Sequence, residues 1–160
     1  MNDAVSSVSQ PPRWKNPVSV LVVVYRLASG GEPEILLLER AGHPGYWQSV
    51  TGSLEEKETP RMAARREVYE ETGILAPDGD FLDWHWRREY DIFPEWRHRY
   101  APGVTRNTEH VFSLAAANAA RIRLSLAEHR AFQWLPPAAA IALCFSPSNR
   151  EAIAALLSRV

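Results

Sequence analysis

The apolar positions of this chain fall into two periods. Val18 to Tyr25 reads VSVLVVVY, a nearly continuous β-branched run that predicts a strand covered on both faces. Ala28 to Pro33 carries a Gly-Gly turn signal, and Glu34 to Glu39 (EILLLE) predicts a second strand paired with the first. Gly42 to Gly45 predicts a loop and Trp47 to Gly52 a short strand. The pattern then becomes helical. Thr59 is a good N-cap, Pro60 suits the first helical position, and Gly73 is a natural residue to follow a helix ending at Thr72.

Phe81 to Tyr90, Glu109 to Ala115 and Ala131 to Leu135 predict further strands. Asp91 to Thr108, with Pro94, Pro102 and Gly103, reads as one long loop, and loops of that length are usually functional or disordered. Ser148-Asn149-Arg150-Glu151 matches a capping box and predicts an amphipathic helix to about Arg159. The elements together predict an α+β fold, a sheet flanked by two helices. A flexible tail is expected over residues 1–13 and a single domain over residues 14–160.

Composition narrows the class. Apolar residues make up 46% of the 160, and Lys plus Arg (18) nearly balances Asp plus Glu (19), for a net charge of −1. That is a globular composition without the basic footprint of a nucleic-acid binder. The first ten residues lack the apolar core of a signal peptide, and no apolar run is long enough to span a bilayer. The single cysteine, Cys144, cannot form an intramolecular disulfide and is read as a core residue. A cytoplasmic protein is expected, with no nucleic acid, membrane or obligate protein partner implied.

Chemistry concentrates between Gly52 and Ile74, GSLEEKETPRMAARREVYEETGI. Glu67, Glu70 and Glu71 stand three and four residues apart, so they share one helix face and repel one another. Taken alone, several glutamates on a helix make a solvated face. As hard oxygen ligands near a glycine-bearing loop, they are also what Mg²⁺ requires when it bridges carboxylates and phosphates. The spacing decides between these. Gly52, five residues, Glu58, seven residues, Arg66-Glu67-Val68, one residue, Glu70-Glu71, one residue, Gly73-Ile74 resembles the signature of the Nudix hydrolases at every fixed position.

The resemblance implies an α/β/α sandwich around a mixed sheet and metal-dependent hydrolysis of a nucleoside diphosphate linked to another moiety. It implies Glu67 and Glu71 as main metal ligands, with Glu70 a third. It has Arg66 orient the carboxylates, Gly52 let the loop turn and Glu58 cap the helix or support the metal shell, with Gly73 a further supporting position of the signature. Mg²⁺ is the implied cofactor, with Mn²⁺ a possible substitute.

Outside that signature, Lys15 to Val23, Tyr46 to Ser53, Arg97 to Glu109 (RHRYAPGVTRNTE) and Ser148 to Arg150 are similar to the branch of the family that removes pyrophosphate from dihydroneopterin triphosphate in folate biosynthesis. Carried over by position, Lys15, Arg40, Thr51, Tyr90-Asp91-Ile92-Phe93 and Ser146 become substrate contacts, and Glu128 a metal ligand from outside the signature. Lys57, where glycine is common, and Pro147, in place of an aromatic residue, depart from the pattern. The residues by themselves leave more open. Lys15 and Arg40 fit phosphate or a solvated surface, Tyr90 and Phe93 a ring or the core, and Arg97, Arg99 and Arg106 an anionic rim or a plain loop. A broad nucleoside triphosphate pyrophosphatase would use the same signature. A non-catalytic binding module would usually have lost one of its carboxylates.

Overall fold

The computed structural model describes residues 13–159, so the expected tail over residues 1–13 lies outside it but for its last residue. One mixed sheet of seven strands carries the fold: β1 (Val18–Leu27), β2 (Pro33–Arg40), β3 (Trp47–Gln48), β4 (Val50–Ser53), β5 (Phe81–Asp91), β6 (Arg106–Ala115) and β7 (His129–Leu135). The central path runs β3-β2-β1-β6-β5, with β4 also paired to β1 and β7 to β2. β1 and β6 are parallel, and the other pairs are antiparallel.

The continuous apolar run of β1 is explained by burial on both sides. Val20, Val22 and Val24 face α1 (Pro60–Thr72), where they pack with Ala63, Ala64 and Val68. Leu21 and Val23 face the opposite way, toward α2 (Pro137–Leu143) and α3 (Pro147–Leu156), packing with Ala140, Ala152, Ile153 and Leu156. Alternate side chains of one strand thus fill two cores, and the result is the α/β/α sandwich expected. No helix among the described residues is long and apolar enough to cross a membrane.

The ends of α1 are set locally, as the sequence predicts. Thr59 Oγ1 accepts the Met62 amide at 3.2 Å. Gly73 adopts φ 78° and donates its N–H to the Tyr69 carbonyl at 2.9 Å. A residue with a side chain resists that left-handed backbone.

Four boundaries differ from the sequence reading. The Trp47 to Gly52 strand is two strands, because at Ser49 the chain leaves β2 for β1. Asn149 fills the break, its Oδ1 accepting the Ser49 amide at 2.8 Å and its Nδ2 donating to Ser49 Oγ at 2.9 Å. The 91–108 loop is shorter than expected. Tyr90 pairs with Asn107 and Asp91 with Arg106, and a 3₁₀ segment, Pro94–Arg99, fills the tip. A third helix, α2, begins at Pro137 in an alanine-rich stretch, where proline at the first position and alanine propensity act together. α3 is capped by Ser146 Oγ rather than Ser148 and ends at Leu156, short of Arg159. Cys144 is buried at the end of α2, where burial pushes its thiol up to about 12.

Ile153 is fully buried where α3 meets the sheet. Ile153→Ala should lower unfolding stability by about 2–5 kcal/mol through lost burial and a residual cavity. Chemical denaturation checks this, and a loss under about 1 kcal/mol would mean that α3 contributes little to the second core.

Candidate active site

The signature residues assemble where α1 crosses β4. Arg66 is the hub. Its Nε and one terminal nitrogen grip Glu58 Oε2 and Oε1, each at 2.8 Å, in a two-pronged bond. The other terminal nitrogen reaches Glu67 Oε1 at 2.7 Å and Glu70 Oε2 at 3.2 Å, and the Ser53 carbonyl accepts a further bond at 3.1 Å. The 53–58 loop is thereby fastened to α1. Glu58 is held below the usual carboxylate range by those bonds from Arg66. Lys57 in the same loop adopts φ 63°, a left-handed backbone that glycine would take without strain.

Glu67 and Glu71 are buried, and Glu70 is half exposed. Glu70 is therefore not brought into the cavity with the other two: its carboxylate is turned onto Arg66 at the outer edge of the helix. Gly52 lies directly against Glu67, and a Cβ there would overlap the Glu67 carboxyl group. The signature glycine is thus a close-approach residue. Glu128 and His129, where β7 begins, complete the cluster. The donor atoms of Glu71, Glu128 and His129 all lie within 4.8 Å of one another. His129 Nε2 stands 3.5 Å from Glu71 Oε1 and 3.5 Å from Gln48 Nε2.

This donor set fits a hard divalent cation. Glu71 Oε2 is buried without a hydrogen-bond partner among the described residues. Burial pushes Glu67 up to about 7 against the pull of Arg66, and burial together with the charge of Glu67 drives Glu71 well above the usual range. Carboxylates that crowd one another in a dry site are relieved by a cation among them. Burial holds the His129 imidazole down to about 4, hence neutral.

The cluster opens into a cavity of about 740 Å³ that runs past the end of β4 to the N-terminus of α3. Lys15, Arg40 and Arg99 line its middle. Lys15 is pulled down to about 8 by burial and then by Arg99 and Arg40, and burial also lowers Arg40. Arg40 stacks over the Trp96 ring, 4.9 Å from its centroid. Beyond them stands an aromatic wall: Phe93 and Trp96 meet edge to face at 5.3 Å, and Phe145 lies 6.0 Å from Trp96.

All eight positions expected to contact substrate line this cavity. Their side chains are not equally free. Thr51 Oγ1 donates to the Val20 carbonyl at 2.9 Å, and Ser146 caps α3. Tyr90 is mostly buried, its hydroxyl accepting from Asn107 Nδ2 at 3.0 Å, so Phe93 and not Tyr90 offers a face to a ring. Ile92 is buried and Asp91 exposed. Of the loop arginines only Arg99 lines the cavity. Arg97 donates to the Ile92 carbonyl, and Arg106 lies near Asp91 and Glu89 on the surface. Trp84 belongs to the α2/α3 core, with Trp86 packed against it. Phe145 and His43 also line the cavity, and nothing in their local sequence marks them; Asn107 and Glu109, at the end of the RHRYAPGVTRNTE segment, line it too.

Comparison with known proteins agrees with this geometry. The NUDIX domain model matches residues 15–156. A dihydroneopterin triphosphate diphosphatase of Escherichia coli is 48% identical over 142 residues, covering 88% of this chain and 91% of that one. The enzyme of the same name from Haemophilus influenzae is 37% identical over 143 residues, covering 88% and 87%. The solved structure of the E. coli dihydroneopterin triphosphate pyrophosphohydrolase superposes with a TM-score of 0.82 at 45% identity, covering 92% of this chain and 99% of that one. With the signature, the sandwich and near full-length similarity all in agreement, the chain belongs to the Nudix family of hydrolases.

Proposed function

We propose that residues 14–160 form one catalytic domain that hydrolyses dihydroneopterin triphosphate to the monophosphate and pyrophosphate, as a cytoplasmic step in folate biosynthesis. The observation that carries this reading is one continuous cavity with three chemistries in series: buried carboxylates, then cations, then an aromatic wall. A triphosphate joined to a planar ring by a short chain has the same order. Similarity to diphosphatases of that substrate supports the choice of ring.

Nudix hydrolases depend on divalent metal, and Mg²⁺ is the ion proposed here. Glu67, Glu71 and Glu128 would hold it, and the bound ion would supply charge neutralisation of the polyphosphate and a lowered pKa for the attacking water. Lys15, Arg40 and Arg99 bind phosphate oxygens. Arg66 keeps Glu67 in place through its grip on Glu58, and Glu70 acts through Arg66 as a positioning residue. Neutral His129 beside Glu71 orients that carboxylate. Thr51 and Ser146, already bonded to the backbone, shape the cavity wall. Phe93, Trp96 and Phe145 face the ring and keep water from it.

Three outcomes follow. Glu71→Gln should lower kcat by ~10²-fold or more in a folded protein, about 3 kcal/mol of transition-state stabilisation. Near wild-type turnover would remove Glu71 from the metal site.

A pH profile tests Lys15. Its folded value of about 8 lies below the ordinary one, so the charge is present below pH 8 and lost above it. kcat/KM, which reports groups of the free enzyme, should therefore fall as pH rises through about 8. Lys15→Arg should flatten that alkaline limb, and an unchanged limb would exclude Lys15 from phosphate binding.

Substrate choice decides the pocket. With Mg²⁺, dihydroneopterin triphosphate should exceed dATP and dGTP in kcat/KM by about tenfold or more, because a site that hydrogen-bonds one substrate's groups strands them when another lacks them. Equal or better turnover of the nucleotides would transfer the chain to the broad nucleotide pyrophosphatases.

A further inference from the structure

One charged group in the cavity has no part in the chemistry described above. Glu109 lies on β6 with about 2% of its surface exposed, yet it lines the same cavity as Glu67 and Glu71. Arg88 holds it from one side, donating to Oε1 at 3.1 Å. Arg88 is itself tied to α3 through Glu151 Oε2 at 3.1 Å and the Ser148 carbonyl at 2.8 Å. Oε2 of Glu109 forms no hydrogen bond among the described residues. Its neighbour Asn107, about 1% exposed, donates to Ser19 Oγ at 2.7 Å and to the Tyr90 hydroxyl. That leaves Asn107 Oδ1 buried and without a partner among the described residues. The buried Asn107 Oδ1 is costly to leave without a donor, and Glu109 Oε2 offers a second acceptor in the same cavity wall.

The sheet sets their distance from the metal end. Ser19 pairs with Ser53 on one side and with Glu109 on the other. The Glu109 backbone therefore stands two strand spacings, about 10 Å, from Ser53 on β4, the neighbour of Gly52, and its side chain shares the sheet face of Leu21 and Val111. A bicyclic ring on a short chain bridges a gap of that order.

We propose that Glu109 is a specificity-determining residue that reads the 2-amino-4-oxopyrimidine edge of the substrate ring, with Asn107 Oδ1 accepting a further donor beside it. That edge presents a ring N–H and an exocyclic amino group side by side. A carboxylate whose oxygens each offer two lone pairs accepts both in a two-pronged, charge-assisted bond while Oε1 keeps its bond to Arg88. Pterin and guanine share the edge. Hypoxanthine lacks the amino group, and adenine turns an unprotonated ring nitrogen toward the carboxylate, stranding it.

The natural ligand named here rests on the pterin triphosphate reading, and purine triphosphates separate the two. kcat/KM is measured for the wild type and Glu109→Gln on dihydroneopterin triphosphate, dGTP, dITP and dATP. Wild type should prefer dGTP to dITP by about tenfold or more, and Glu109→Gln should bring that ratio to within about twofold, mainly through KM. The loss on dGTP should exceed the loss on dATP by about tenfold. Calorimetric dissociation constants for dGMP and dIMP read the same ratio without turnover. Glu109→Asp keeps the charge against Arg88 but draws the carboxylate back, and it carries the same expectation where the Gln variant does not fold. Proportionate losses on dGTP, dITP and dATP, or a dGTP to dITP ratio unmoved by either variant, would make Glu109 structural and overturn the proposal. Poor turnover of the pterin with an intact, Glu109-dependent preference for dGTP would instead overturn the pterin reading alone.

Discussion

Glu67 and Glu71 are buried one helical turn apart with too little positive charge around them, and most of the active region answers that constraint. Arg66 is the main local compensation, and it is shared: the same guanidinium grips Glu58, touches Glu70 and ties the Ser53 carbonyl. Burial still raises both carboxylates, Glu71 the more deeply buried of the two. Removing one partner of a buried charge network leaves the others uncompensated, which is why such clusters tolerate little change. The same crowding suits the donor set to a hard divalent cation, whose charge would offset that of the carboxylates.

Rigidity around those carboxylates comes from the sheet. Gly52 lets β4 approach α1 until only a missing Cβ leaves room for the Glu67 carboxyl group. Asn149 ties α3 to the break at Ser49, beside the strand under the signature, through two buried hydrogen bonds. β1 lies between β4 and β6 and is buried on both faces, which makes it a fixed spacer between the strand against Glu67 and the strand that carries Glu109. A hydrolase that must hold a phosphorus and a ring at the same time needs that distance not to vary.

Departures from the family pattern have physical readings. Lys57 takes the backbone that makes glycine common there, at a modest conformational cost on an exposed loop. Pro147, standing where an aromatic residue is usual, begins α3, and Phe145 two residues earlier supplies a ring to the wall. Glu70 matches the signature by type, and its carboxylate accepts a bond from Arg66 at the edge of α1.

Much of this protein was legible in its sequence. The doubly buried strand β1 and the start and stop of α1 follow from periodicity and capping, which act within a few residues of chain, and the glutamates and glycine of the signature are legible through resemblance to the family pattern. What remained hidden depends on contacts between distant segments. Which of three neighbouring glutamates faces inward is set by how α1 rolls onto β4. The break at Ser49 is set by Asn149, a hundred residues away. His129 joins the carboxylates, and Glu109 reaches the far end of the same cavity, only because sheet pairing places β7 beside β2 and β6 beside β1. No local pattern encodes that convergence. A side chain's neighbours across a sheet are chosen by register and strand order, and those are decided when the two apolar faces of the whole sheet are buried together.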